Sequence, residues 1–168
     1  MIAEQRKSIE VNEEFKTRRR RLPHWEQLGS AYFVTFKTAE PFVLSDQAKD
    51  VVLGAVKFHA GKKYRLDAVV VMETHVHLVM EPLEQEGGTL CSLEEIMRSV
   101  KGYTANRIQK LSGNRGSVWL AESYDRIVRD EVEYQEKLNY IINNPVKAGI
   151  VGKSEDYRWL YYEGQAAG

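Results

Sequence analysis

The order of apolar patterns along the chain predicts an α+β fold, an antiparallel sheet with helices packed on one face, in the order β-α-β-β-α-β. Three observations carry this. Two adjoining apolar, β-branched runs meet at Glu73-Thr74 and read as buried strands joined by a turn. Two segments opening at Ser45 and Ser92 repeat apolar residues at helical spacing. Strand-like runs stand outside them, one before the first helix and one after the second.

Each element has its own reason. Residues 31–38 are aromatic and β-branched throughout, which suits a strand. Ser45 is placed to cap a helix running to about residue 60, with Ala48, Val51, Val52, Ala55 and Val56 on its apolar stripe. His59 continues that stripe and reads as a core histidine. Residues 64–72 and 75–81 are the next two strands. Ser92-Leu93-Glu94-Glu95 is a capping-box pattern opening a helix to about residue 111. Leu93, Ile96, Met97, Val100, Ile108 and Leu111 mark its buried face, and Tyr103 is assigned to that core side. Cys91, just before it, reads as a passive thiol. Residues 117–121 read as the fourth strand. This is the split βαβ, ferredoxin-like plan, in which the first and third strands are central. A further helix is expected from about Asp130 to Asn143 or Asn144, ended by Pro145, because the residue before proline avoids helical geometry.

Composition bounds the rest. The 168 residues suit one domain with a real core. The lone Cys91 excludes an intramolecular disulfide and a cysteine zinc cluster. No apolar stretch approaches the ~18 residues of a membrane span, and no signal-peptide pattern opens the chain. A soluble, cytoplasmic protein without a membrane partner is expected. The 24 basic and 24 acidic residues cancel, so local charge matters more than the sum. The densest positive run is Arg18-Arg19-Arg20-Arg21, at the end of a polar stretch over residues 1–21, within a basic arm expected over residues 1–29. A solvated face and a phosphate-contacting arm are both open for it. The main domain is expected at 30–160, with residues 161–168 as a tail.

The chemistry concentrates in two places. His75 and His77 interrupt an apolar strand and share one of its faces, roughly 6–7 Å apart. Two imidazoles in such a setting need partners and can converge on one metal ion. Glu73 has the same parity, but reads as a turn residue. On the last helix, Tyr134, Leu138, Ile141 and Ile142 form an apolar stripe at about 100° per residue. Tyr140 lies off that stripe. Asn144 is one turn further on, rotated only about 40° from it, and Lys137 and Glu133 share the same side. A tyrosine hydroxyl can attack a phosphodiester, though at a pKa of ~10 it needs help. A divalent ion held by two imidazoles and an amide oxygen would shield the developing charge. That donor set suits Mn²⁺ and tolerates Mg²⁺.

From about residue 19 to 159 the chain resembles the HUH endonucleases, and among them the REP-associated tyrosine transposases. The residues that carry this are Leu22-Pro23-His24-Trp25 with Tyr32-Phe33-Val34-Thr35-Phe36, His75-Val76-His77-Leu78, and Val118-Trp119 with the stretch Tyr124-Asp125-Arg126-Ile127-Val128-Arg129-Asp130. The most specific block is Tyr140-Ile141-Ile142-Asn143-Asn144-Pro145-Val146-Lys147-Ala148-Gly149. Where the family continues Trp-Ser-Ser, this chain has Trp159-Leu160-Tyr161-Tyr162. The resemblance implies Tyr140 as nucleophile, His75, His77 and Asn144 as ligands of Mg²⁺ or Mn²⁺, and a 5′-phosphotyrosine intermediate. It implies a single-stranded or hairpin DNA substrate and a monomer or homodimer, and the positive charges of Arg18 to Arg21 and Lys137 make them the candidate DNA contacts. Replication-initiator or relaxase-type nickases, and a non-catalytic nucleic-acid-binding module on the same fold, are the alternatives.

Overall fold

A computed structural model describes residues 30–165. The elements are β1 (Tyr32–Lys37), α1 (Asp46–Phe58), β2 (Tyr64–Val71), β3 (His75–Pro82), α2 (Leu93–Ser112), β4 (Tyr124–Ile127), α3 (Glu131–Lys147), a short 3-10 turn (Ser154–Asp156) and β5 (Leu160–Tyr162). The five strands form one sheet in the order β4-β1-β3-β2-β5, every neighbouring pair antiparallel. The first four strands keep the expected ferredoxin-like order, with β1 and β3 inside.

Local chemistry fixes these elements. Ser45 caps α1, its hydroxyl accepting from the Ala48 amide. Ser92 and Glu95 form both halves of the capping box on α2, and Gly113 closes that helix at φ +68, a left-handed conformation that suits glycine. The β2–β3 hairpin turns at Glu73-Thr74, where the Met72 amide donates to the His75 carbonyl at 2.8 Å. Glu73 therefore lies outside β3, and its carbonyl accepts from the Leu44 amide at 2.8 Å.

Two apolar layers sandwich the sheet. Between it and α1 and α2 lie Val34, Phe36, Val52, Val56, Val76, Leu78, Met80, Ile96 and Ile108. Between it and α3 lie Phe33, Ala68, Val70, Val79, Tyr134, Leu138 and Ile141, joined by Tyr157, Leu160 and Tyr162. A register shift between Leu66 and Ala68 keeps both halves of β2 in phase with these layers.

Several expectations change. The fourth strand is Tyr124–Ile127, and residues 117–121 make only an isolated bridge through Trp119 to Thr38. Val118 and Trp119 look strand-like because they are buried, but they enter the core from a loop, with the Trp119 indole donating to Thr104 Oγ1 at 3.0 Å. The true edge strand is mostly exposed and so lacks an apolar pattern. The last helix passes through Pro145, which packs into its buried face, and runs to Lys147. Chain reversal waits for Gly149, at φ +73. Asn144 is thus inside the helix and not its cap. Leu111 and Tyr103 are exposed on α2, whose buried side is Ile96, Met97, Val100, Thr104 and Ile108. His59 is the half-buried C-cap of α1 and not a core residue. Finally, Tyr161 and Tyr162, expected in the tail, belong to β5.

Among the described residues no helix is long and apolar enough to cross a membrane. Cys91 is a half-buried free thiol.

Candidate active site

Strand alternation puts His75 and His77 on the α3 side of the central strand β3, while Val76 and Leu78 face α1 and α2. Their ring centroids are 4.8 Å apart. The neighbouring strand completes the floor. In the antiparallel register Thr35 of β1 stands opposite His77, and Lys37 opposite His75. Thr35 Oγ1 lies 2.6 Å from Nδ1 of His77, inside the protein. Thr74 Oγ1 lies 3.3 Å from Nδ1 of His75 at the surface. A proton on Nδ1, held by a threonine oxygen, leaves the Nε2 lone pair for another partner.

The third wall is α3. Burial of Tyr134, Leu138 and Ile141 against the sheet fixes the rotation of this helix. Tyr140 and Asn144 are thereby turned toward the imidazoles. The Tyr140 ring meets His77 edge-on at 5.1 Å and Phe33 at 5.9 Å. Phe33 in turn stacks on His77 at 5.7 Å. The phenol remains 41% exposed, so a bulky substrate can reach it. The Asn144 amide hydrogen-bonds His75. Asn143 is spent elsewhere, donating to the Asn139 carbonyl at 2.8 Å.

The electrostatics keep both rings neutral. Burial, then the neighbouring His75, then Lys37 and Lys137, bring His77 down to about 4. Burial also lowers His75, reinforced by Lys37 and opposed by the Asn144 hydrogen bond. A neutral imidazole offers a lone pair, which is the form that binds a metal. Among the described residues no three His, Cys, Asp or Glu side chains gather into a cluster, so a tridentate set here draws on the Asn144 amide. Two neutral imidazoles and that amide fit a divalent ion with open positions.

The structure thus brings together four of the residues singled out from sequence, namely His75, His77, Tyr140 and Asn144. Lys137 joins them, its ammonium 4.7 Å from the Phe33 ring centre. Glu133, on the same helix side, is committed to Arg126 and Arg129. Tyr103 lies on α2, across the sheet from the imidazoles. Arg18, Arg19, Arg20, Arg21 and His24 fall outside the described residues. Three participants escape sequence reasoning: Phe33, Thr35 and Lys37. The available signal is a threonine inside an aromatic strand, but its meaning depends on the pairing register, which the sequence does not display.

No family model matches the chain. A Haemophilus influenzae protein with the provisional name REP-associated tyrosine transposase is 23% identical over 146 residues, covering 79% of this chain and 78% of that protein. An uncharacterised protein of the same organism is 29% identical over 99 residues, which span 49% of this chain and 54% of that relative. Among solved structures, a REP-associated tyrosine transposase bound to a REP hairpin superimposes with a TM-score of 0.62 at 20% identity, covering 84% of this chain and 87% of that one. That likeness establishes the α+β transposase fold for this chain. In sequence and in fold, the chain is similar to the REP-associated tyrosine transposases.

Proposed function

We propose that this chain is a transposase-like, metal-dependent endonuclease and strand transferase for single-stranded DNA, with Tyr140 as its nucleophile. The observation that carries the reading is the packing of an exposed phenol edge-on against His77, with the Asn144 amide on His75 one helical turn away. Phenol, imidazole pair and amide converge on one point of the surface.

The chemistry follows from these groups. The Tyr140 oxygen attacks phosphorus and gives up its proton. The bond from phosphorus to the 3′ oxygen breaks, and that oxygen takes a proton to become a free 3′-hydroxyl. The product is a 5′-phosphotyrosine, which keeps the ester bond, so attack by a 3′-hydroxyl can reseal or transfer the strand without another energy source. His75, His77 and Asn144 would hold Mg²⁺ or Mn²⁺, which supplies charge neutralisation at the phosphate. Thr35 fixes the ring orientation of His77. Phe33 and His77 confine the Tyr140 ring, which positions its oxygen for attack. The solved relative is bound to a REP hairpin, and a hairpin-forming repeat is the substrate assigned here. Lys137, and the arginines at 18 to 21, are assigned to its backbone.

The test is a covalent adduct. Tyr140→Phe keeps the ring and its packing but removes the attacking oxygen. It should fold and bind DNA yet form no adduct, a loss on the order of 10⁴-fold or more. EDTA should silence the unmodified protein, and Mn²⁺ or Mg²⁺ should restore it. With label on either side of the cut, the protein should carry the 3′-side fragment through its 5′ phosphate. An adduct that survives in Tyr140→Phe would sink the assignment.

A further inference from the structure

The edge strand β4 carries a large aromatic side chain that neither apolar layer uses. Tyr124 is 58% exposed. It pairs with Thr35 across β1 and β4, and Thr35 pairs with His77 on its other side. Directly opposed residues of an antiparallel sheet share a face. Tyr124, Thr35 and His77 therefore form one row on the α3 side. The backbone position of Tyr124 stands two strand spacings, about 10 Å, from that of His77. The phenol oxygen accepts from Arg126, which is itself paired with Glu133 of α3. Lys37 is two residues along β1 on the same face and is a diagonal neighbour of Tyr124.

We propose that Tyr124 is a stacking platform for an unpaired nucleobase beside the scissile phosphate, with Lys37 on the adjoining backbone phosphate. The idea rests on the single-strand reading of the neighbouring site and names which part of the DNA it holds. Every base has a flat π-face, so an exposed ring accepts any of them. Bases inside a duplex present their edges, because their faces are already stacked. The platform thus selects for a single-stranded flank, and Lys37 adds a positive charge at backbone distance from it.

The experiment is equilibrium binding of the full chain to a labelled hairpin carrying a single-stranded flank, with one abasic nucleotide moved along the flank. Tyr124→Ala should weaken binding by about 5- to 150-fold, and Tyr124→Phe should keep most of the affinity. At one flank position the abasic nucleotide should cost as much as Tyr124→Ala, and the two together little more than either. A blunt hairpin should bind both proteins equally. Circular dichroism and the melting temperature should not move, since the side chain is exposed on an edge strand. Equal weakening on the blunt hairpin, or full additivity at every abasic position, overturns the platform. Adducts at Tyr140 without the abasic coupling would overturn the platform and leave the nuclease standing. Coupling without any adduct would do the reverse. No binding to either DNA overturns both.

Discussion

The two faces of β3 differ by one residue of phase. Toward α1 and α2 the strand presents Val76, Leu78 and Met80, all buried in a continuous apolar layer. Toward α3 it presents His75, His77 and Val79, with Thr35 and Lys37 beside the imidazoles. Both sets belong to the same hydrogen-bonded ladder, and both are rigid for that reason. What differs is the covering helix. α1 and α2 bring mainly apolar stripes, whereas α3 buries one side and turns Tyr140 and Asn144 to the strand's polar end. One face supplies stability and the other places reactive groups, so neighbouring residues of one strand should fail in different ways when changed.

The sharpest break of that comparison sets His77→Ala against Leu78→Ala. Losing His77 removes one ligand of the proposed metal ion, whose charge stabilisation at a phosphate would be worth several kcal/mol. Cleavage should fall about a hundredfold or more, with a modest change in melting temperature. Leu78→Ala leaves a hole in the apolar layer and should cost about 2–5 kcal/mol of stability. Its folded fraction should still cleave within a few-fold of normal. Denaturant melts and single-turnover cleavage on the same preparations separate the two. If Leu78→Ala loses catalysis while staying folded, the faces are not independent.

A smaller effect tests how the reactive face is held. Thr35→Val keeps a β-branched residue in β1 but deprives His77 Nδ1 of its 2.6 Å partner. A ligating imidazole without that support should bind metal about 10–100-fold more weakly. Activity should return at raised Mn²⁺, since the donor atoms remain. A Mn²⁺ titration curve that superimposes on the original would remove Thr35 from the site.

Much of this contrast is readable from the chain. The imidazole pair stands out because it interrupts a β-branched run, and Tyr140 with Asn144 because they leave the apolar stripe of α3. Helical and strand phase are local, so a single sequence shows them. Phe33, Thr35, Lys37 and Tyr124 are harder to find. Thr35, Lys37 and Tyr124 matter because they stand opposite His77, His75 or one another across the sheet, and Phe33 because its ring stacks on His77; pairing register is a long-range property. β4 is easily misplaced because an exposed edge strand needs no apolar alternation, while a buried loop tryptophan imitates one. Pro145 reads as a helix stop from local sterics alone. Its burial within the fold overrides that preference.

The proposed basic arm, which lies outside the described residues, gives a test independent of both faces. Replacing Arg18 to Arg21 with Ala should weaken DNA binding and flatten its salt dependence. For every phosphate that is no longer neutralised, the slope of log K against log salt should fall by roughly 0.7–0.9. The cleavage rate at saturating DNA should hold, because the role proposed for these charges is to bind the DNA backbone and not to act on the reacting phosphorus. An unchanged slope would return the run to an ordinary solvated face.

The smallest expected effect belongs to Tyr103→Phe. By composition alone Tyr103 rivals Tyr140: both are tyrosines on helices, and both are well exposed, at 57% and 41%. Position separates them. Tyr103 lines a shallow cavity between α1 and α2, with Gly54, Phe58, His59 and Arg107 around it. The whole thickness of the sheet lies between that cavity and the imidazoles. No phosphate held by His75 and His77 can reach it. Its ring is also outside the apolar layer, so losing the hydroxyl leaves no buried group unpaired. Tyr103→Phe should therefore match the unmodified protein in adduct yield, and its unfolding free energy should change by no more than the ~0.5 kcal/mol typical of surface changes. Peptide mapping of the adduct makes the contrast direct: the nucleotide should sit on Tyr140 in both proteins. A nucleotide on Tyr103 would mean that the wrong face of the sheet has been assigned to chemistry.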